Sequence, residues 1–94
     1  MSEYHYIEPI NPFAKTYAAV AEQDYYRSSP NYEECLRNAE LSINYDSRIY
    51  EGHFYKAKAL LKLGRYQEAE DASKKCLELD PKRPEAYPVI VYNK

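Results

Sequence analysis

Apolar side chains recur at intervals of three and four along most of this chain, the spacing that gathers them on one face of an α-helix. The first such stretch holds Phe13, Tyr17, Val20, Ala21 and Tyr25. It follows Asn11-Pro12, a pair suited to a helix start because the Asn side chain caps and the Pro ring presets φ. This helix is predicted to run to about Ser28, since Pro30 disfavours the helical conformation at Ser29. The second is predicted over 32–44, with Leu36, Ala39 and Ile43 on one face. Asn31 can cap it, and Glu33 and Glu34 lie in its first turn, where the helix dipole favours acids. The third is predicted over 48–63 with a stripe of Phe54, Ala57, Leu60 and Leu61, closing on Gly64, where a left-handed residue costs least. The fourth is predicted over 66–79 and stops at Asp80-Pro81. Connections of about three to five residues imply antiparallel neighbours.

The ends read differently. Residues 1–12, MSEYHYIEPINP, carry two prolines and no helical period, which predicts an extended arm. The tail, 84–94, contains Val89-Ile90-Val91-Tyr92 directly after Pro88 and suits either an extended segment or a short capping helix.

A shift of 34 residues lays one half of the chain on the other. Tyr32 then falls on Tyr66, Glu34 on Glu68 and Asp46 on Asp80, and Cys35, Ala39, Ile43 and Tyr45 fall on Ala69, Ser73, Leu77 and Leu79. A period of this size marks a stack of supersecondary units. Small residues at Ala57 and Ala69 would let two antiparallel helices approach closely, with larger neighbours filling the grooves.

On these residues the chain resembles the tetratricopeptide repeat family. The stretch 56–81, KAKALLKLGRYQEAEDASKKCLELDP, carries the resemblance. Ala57 and Leu60 stand at the small and large apolar positions of the repeat's first helix, and Gly64-Arg65-Tyr66 at its turn. Ala69 and Cys76 stand at the small positions of the second helix, and Asp80-Pro81 at the terminator. The resemblance implies an all-α fold of antiparallel helical hairpins stacked as a short α–α solenoid, four helices with a C-terminal capping segment. It divides a single domain, 1–94, into an arm (1–12), a degenerate repeat (13–47), a well-matched repeat (48–83) and a tail or cap (84–94). The first repeat departs from the pattern: Gln23 sits where a small residue is expected, Pro30 replaces the turn Gly and Ser47 the terminal Pro. His53 occupies a place that is usually aromatic.

Composition narrows the function classes. A length of 94 residues is room for one small domain. Twelve Tyr against two Phe and no Trp means that the core is built from rings whose hydroxyls need water or a partner. The net charge of −2 argues against a nucleic-acid partner. It is split: residues 1–47 hold three basic and eight acidic side chains, residues 48–94 ten and seven. Solvated helix faces explain that split, and so does a bipolar surface that favours head-to-tail association. Cys35 and Cys76 lack a metal-binding spacing and read as reduced, buried small side chains. No apolar run approaches about 18 residues and the first residues form no secretory core, so neither a membrane partner nor a signal peptide is expected. The cytoplasm is the default compartment and the nucleus the second. There is no Gly-rich phosphate loop, no HExxH, no GxSxG and no Cys–His pairing, so no catalytic residues, metal or cofactor are expected. His5 lies in the arm, His53 reads as a packing residue, and Glu68, Glu70 and Asp71 complement a helix dipole.

The resemblance implies a protein–protein interaction adaptor, whose concave groove is lined by the first helix of each hairpin. By position, the groove takes Tyr17, Val20, Asp24 and Arg27 from the first helix and Glu51, Tyr55, Lys58 and Lys62 from the third, with Ala21, Phe54 and Leu61 beside them. Tyr55, Lys58 and Lys62 share a face, and an aromatic ring beside two ammoniums suits an acidic or aromatic-containing peptide. The family's co-chaperones hold a C-terminal carboxylate with Lys, Asn and Arg. Here the clamp positions carry Val20 and Asp24, and Glu51 and Tyr55, so that ligand is not expected. The alternative function is a structural module that self-associates. A short array leaves apolar ends, which the arm (Tyr4, Tyr6, Ile7, Ile10), the tail or a second copy would cover.

Overall fold

A computed structural model describes residues 7–83; half of the expected arm and all of the expected capping tail lie outside the described residues. Four helices follow in order: α1 (Pro12–Tyr26), α2 (Tyr32–Tyr45), α3 (Tyr50–Lys62) and α4 (Tyr66–Leu79). Consecutive helices pack against each other, and α1 also touches α3, so two helical hairpins stack with their first helices side by side. The fold is all-α.

Local chemistry explains the ends of the helices. The Asn11 side chain accepts from the Phe13 N–H at 2.8 Å and that of Asn31 from the Glu34 N–H at 3.0 Å, each satisfying an orphan donor of a first turn. Gly64 adopts φ +78°. The Gly64 and Arg65 N–H groups then donate to the Leu61 and Leu60 carbonyls, at 3.1 and 2.9 Å, a Schellman closure.

Two boundaries differ from expectation by two residues, and the ends of α2 and α3 by one. α3 starts at Tyr50 rather than Arg48, because Asp46 holds a turn open before it. The Asp46 carboxylate accepts from the Arg48 N–H at 3.1 Å, and the Asp46 carbonyl from the Ile49 N–H at 3.2 Å. The turn after α4 repeats these bonds: Lys82 N–H to the Asp80 carboxylate and Arg83 N–H to the Asp80 carbonyl, both 3.2 Å. α1 ends at Tyr26, where Arg27 turns extended at ψ 163°. The connection 27–31 is therefore two residues longer than its counterpart 63–65.

That difference sets the register. The 34-residue shift holds for α2 on α4: Cys35 and Ala69, Ala39 and Ser73, Ser42 and Cys76 are all fully buried. α1 falls on α3 two residues further along, so that Ala21, not Gln23, matches Ala57. Both alanines are buried and Gln23 is exposed, which corrects the small position assigned to Gln23. The core around them is rich in Ala: Ala21, Ala39, Ala57, Ala59, Ala69 and Ala72 surround Cys35, Leu36, Tyr55 and Leu60. Such small side chains let the helix axes come close. Gly52 marks a tight approach. A Cβ there would lie 2.9 Å from Ser42 Oγ and 3.0 Å from an Ile49 methyl, and the Ser42 hydroxyl is already committed to the Ala14 carbonyl at 2.6 Å.

Asn38, Asp24 and His53 are polar groups that find partners inside this core. Asn38 Nδ2 donates to Asp24 Oδ2 at 2.9 Å across the α1–α2 crossing. His53 Nε2 lies 2.9 Å from the Ser47 carbonyl oxygen, and burial pushes its pKa down, so the ring is held neutral. Burial raises both thiols to about 12, which leaves Cys35 and Cys76 as inert packing groups.

Candidate functional site

Because α1 and α3 lie side by side, a cleft opens between them. Its floor is small on the α1 side, where Ala18 is buried and Ala19 exposed. A narrower hollow of about 300 Å³ lies between Lys15, Ala18, Ala19 and Ile49. A wider one of about 600 Å³ is bounded by Tyr26, Tyr50, Phe54, Lys58 and Arg83. Glu22, Glu51 and Tyr55 line both and mark their junction.

A ladder of rings lines the wider hollow with Tyr26, Tyr55, Phe54 and Tyr50 and continues beyond it to Tyr25 and Tyr32. Tyr32 and Tyr25 have centroids 5.4 Å apart, Tyr25 and Tyr26 4.9 Å, Tyr26 and Tyr55 6.2 Å, Tyr55 and Phe54 5.1 Å, and Phe54 and Tyr50 5.9 Å. Most of these pairs are tilted or edge-to-face, the arrangement that the ring quadrupole favours. Cations sit on the ladder. Lys58 Nζ lies 4.8 Å from the Tyr25 centroid, 5.3 Å from that of Phe54 and 5.6 Å from that of Tyr26. The Arg83 guanidinium covers the Tyr50 ring at 4.2 Å and also reaches the Glu51 carboxylate at 3.3 Å. Tyr55 is buried within the ladder; that burial, with the Glu22 carboxylate beside its hydroxyl, pushes its pKa well above the usual tyrosine value.

The residues expected at the groove separate into two sets. Glu51, Tyr55 and Lys58 come together in the cleft, with Phe54 among them. Lys62 reaches instead toward the Tyr32 ring on α2, at 5.9 Å. The α1 residues lie elsewhere. Tyr17 stacks on Tyr45 of α2 at 5.5 Å, and Val20 is half-buried outside both hollows. Asp24 is 6% exposed and bonded to Asn38. Arg27 bonds the Ser29 carbonyl at 3.0 Å and lies 3.7 Å from Asp24. The two-residue offset of α1 rotates these four side chains off the cleft and puts Lys15, Ala19, Glu22 and Tyr26 there. The signal that would have located them is the small residue itself: aligning Ala21 with Ala57, rather than carrying the 34-residue shift through the longer loop, brings Glu22 onto Lys58. Arg83 was missed because it enters from the turn after α4.

Among the described residues no three His, Cys, Asp or Glu side chains gather as a metal-ligand set, and no helix is long and apolar enough to cross a membrane.

The family model described as tetratricopeptide repeat matches residues 50–83, the α3–α4 hairpin with its exit turn. The TPR repeat-containing protein YpiA of Bacillus subtilis (strain 168) is 37% identical over 71 residues, which cover 73% of this chain and 17% of that relative. These findings identify the second hairpin, residues 50–83, as a tetratricopeptide repeat. Repeats of this family generally mediate protein–protein interaction, and proteins built from them are typically non-enzymatic adaptors. The chain spans less than a fifth of the length of YpiA.

Proposed function

We propose that this domain is an adaptor that holds a protein or peptide partner in the α1–α3 cleft. The observation that carries the reading is the ladder of rings along the wider hollow, with Lys58 fixed over three of them. Aromatic side chains offer large contact area with few rotatable bonds, so this surface loses little side-chain entropy when a partner is laid on it. A chaperone-type C-terminal carboxylate remains disfavoured. In the register observed, Ala18 and Glu22 replace Val20 and Asp24 at the first two clamp positions, and neither is the Lys or Asn such a clamp uses.

The test is a selection from a random displayed-peptide library, followed by NMR mapping of a synthesised winner. Binding should perturb the amides of Glu22, Glu51, Tyr55 and Lys58, and Tyr26→Ala with Lys58→Gln should weaken it at least tenfold while helicity stays. Perturbation confined to α2 and α4 would move the site to the other face.

Self-association is the second reading. Tyr66, 53% exposed, and Leu79, 40% exposed, leave apolar surface on α4. A monomer by light scattering at micromolar concentration, with and without residues 84–94, would remove it.

A further inference from the structure

The proposal rests on the cleft reading above and specifies its ligand: we infer that Lys58 is the seat for an Asp or Glu side chain within an extended partner segment. Two cations border the wider hollow, and they differ. Arg83 is neutralised by the protein itself, with Glu51 and Asp80 oxygens each 3.3 Å away. Lys58 has no carboxylate partner among the described residues. Its contacts are three ring faces and the Tyr26 hydroxyl at 3.4 Å. Ring faces hold an ammonium in place without neutralising it. The side chain is half-buried, so part of its hydration is already lost and its orientation already set. A carboxylate arriving from the open side would find a charge-assisted donor that needs no reorganisation.

The neighbouring acids define which anion fits. Glu22 and Glu51 line the same hollow. A carboxylate brings one negative charge to Lys58, whereas a phosphate brings nearly two and meets stronger repulsion from both. The same two acids oppose the phosphate backbone of a single-stranded nucleic acid, although rings interleaved with cations would otherwise suit one. The acids also confine the match to one place. A partner acid belongs at Lys58, and the segment crossing the Glu22–Glu51 junction is neutral or basic.

The experiment uses peptides selected on the full chain and synthesised with amidated C-termini, so that no chain-end carboxylate takes part. The selected sequences should share one Asp or Glu. Changing that residue to its amide, or Lys58→Gln in the protein, should each weaken binding about tenfold, and the two together no further, because the pair is lost only once. Lys58→Glu should turn a fresh selection toward Lys or Arg at that position. Losses that multiply, or winners without an acid that still perturb the cleft amides, overturn the seat and leave the cleft reading standing. Winners that do not perturb the cleft, or a selection with no winners, overturn both. A phosphoserine peptide or an oligothymidylate that binds more tightly than the acidic peptide, in a Lys58-dependent way, overturns the choice of a carboxylate.

Discussion

The two hairpins close the same crossing by opposite chemistry. In the second, Leu60 is fully buried and Ala72 5% exposed, two hydrocarbon surfaces in contact with one core. At the equivalent places of the first stand Asp24, 6% exposed, and Asn38, 9% exposed, joined by a hydrogen bond of 2.9 Å. The difference teaches that the repeat specifies a separation between helices, not a chemistry. A fully matched polar pair and a Leu–Ala contact both meet it, but they fail in different ways. Removing the hydrocarbon leaves a cavity, whereas removing half of the polar pair strands a buried group.

The largest effect should come from the hydrocarbon side. Leu60→Ala is expected to cost about 2–5 kcal/mol. Asp24→Ala should cost about 1–3 kcal/mol, by leaving the Asn38 amide buried and unpaired. Urea denaturation measures both. The combination Asp24→Leu with Asn38→Ala installs the second hairpin's solution in the first, and it should recover most of the loss from Asp24→Ala, since a buried polar pair is often replaceable by apolar residues. A double variant no better than Asp24→Ala would mean that the polar pair is specific to its crossing.

The next contrast lies between Gly52 and Thr16, which occupy equivalent turns of α3 and α1. Thr16 is exposed and bonds only its own helix, at the Pro12 carbonyl. Gly52 is buried, where an added Cβ would come within 3.0 Å of two side chains. Gly52→Ala should therefore destabilise by about 1–3 kcal/mol, against the roughly 1 kcal/mol that Ala gains over Gly inside a helix. Thr16→Ala should change thermal stability little. Equal melting temperatures for Gly52→Ala and the parent would show that α2 and α3 can separate freely.

A smaller effect distinguishes His53 from Tyr17, its counterpart. Burial lowers the His53 pKa below its usual 6.5. Below that value the unfolded chain binds the proton more readily than the folded one, so stability should fall as the pH drops from about 7.5 to about 5.5. His53→Gln, whose amide can still donate to the Ser47 carbonyl, should flatten this window; an unchanged slope would assign the dependence to another group. Asp46 acts lower on the scale. Arg48 and the Asn11 N–H hold its carboxyl far below the usual range, so its contribution is kept above 3.8 and lost only as the pH falls beneath it. The smallest effect is Ser73→Ala. The Ser73 hydroxyl is buried without a hydrogen-bond partner among the described residues, where the first hairpin has Ala39. The variant should be neutral or more stable by up to about 1 kcal/mol; a clear loss would reveal a bond that the hydroxyl makes.

How much of this was legible in advance follows from how local each feature is. Asn11, Asn31, Gly64 and Asp80-Pro81 act on their own turn of chain, and helical periodicity is a property of ten or so consecutive residues, so the four helices and their order could be read from the residues alone. So could the second hairpin, because its loop has the length the repeat expects, and with it the positions of Glu51, Tyr55 and Lys58. The first helix could not be placed this way. Its register on α3 depends on how the two extra residues of 27–31 are absorbed, and within α1 the small residue Ala21 is the one sign of it.

The amino-acid order by itself therefore determined the helices, their caps, the second hairpin and the repeat family which that hairpin matches. The tertiary structure alone decided that Glu22 and Tyr26, not Asp24 and Arg27, face α3; that Asp24 is spent on Asn38; and that Lys58 stands over three rings without a carboxylate among the described residues. The physical reason is that a turn is stabilised by neighbours in sequence, whereas a cleft is made by side chains from separate helices, and a shift of two residues turns an α-helix by more than half a revolution.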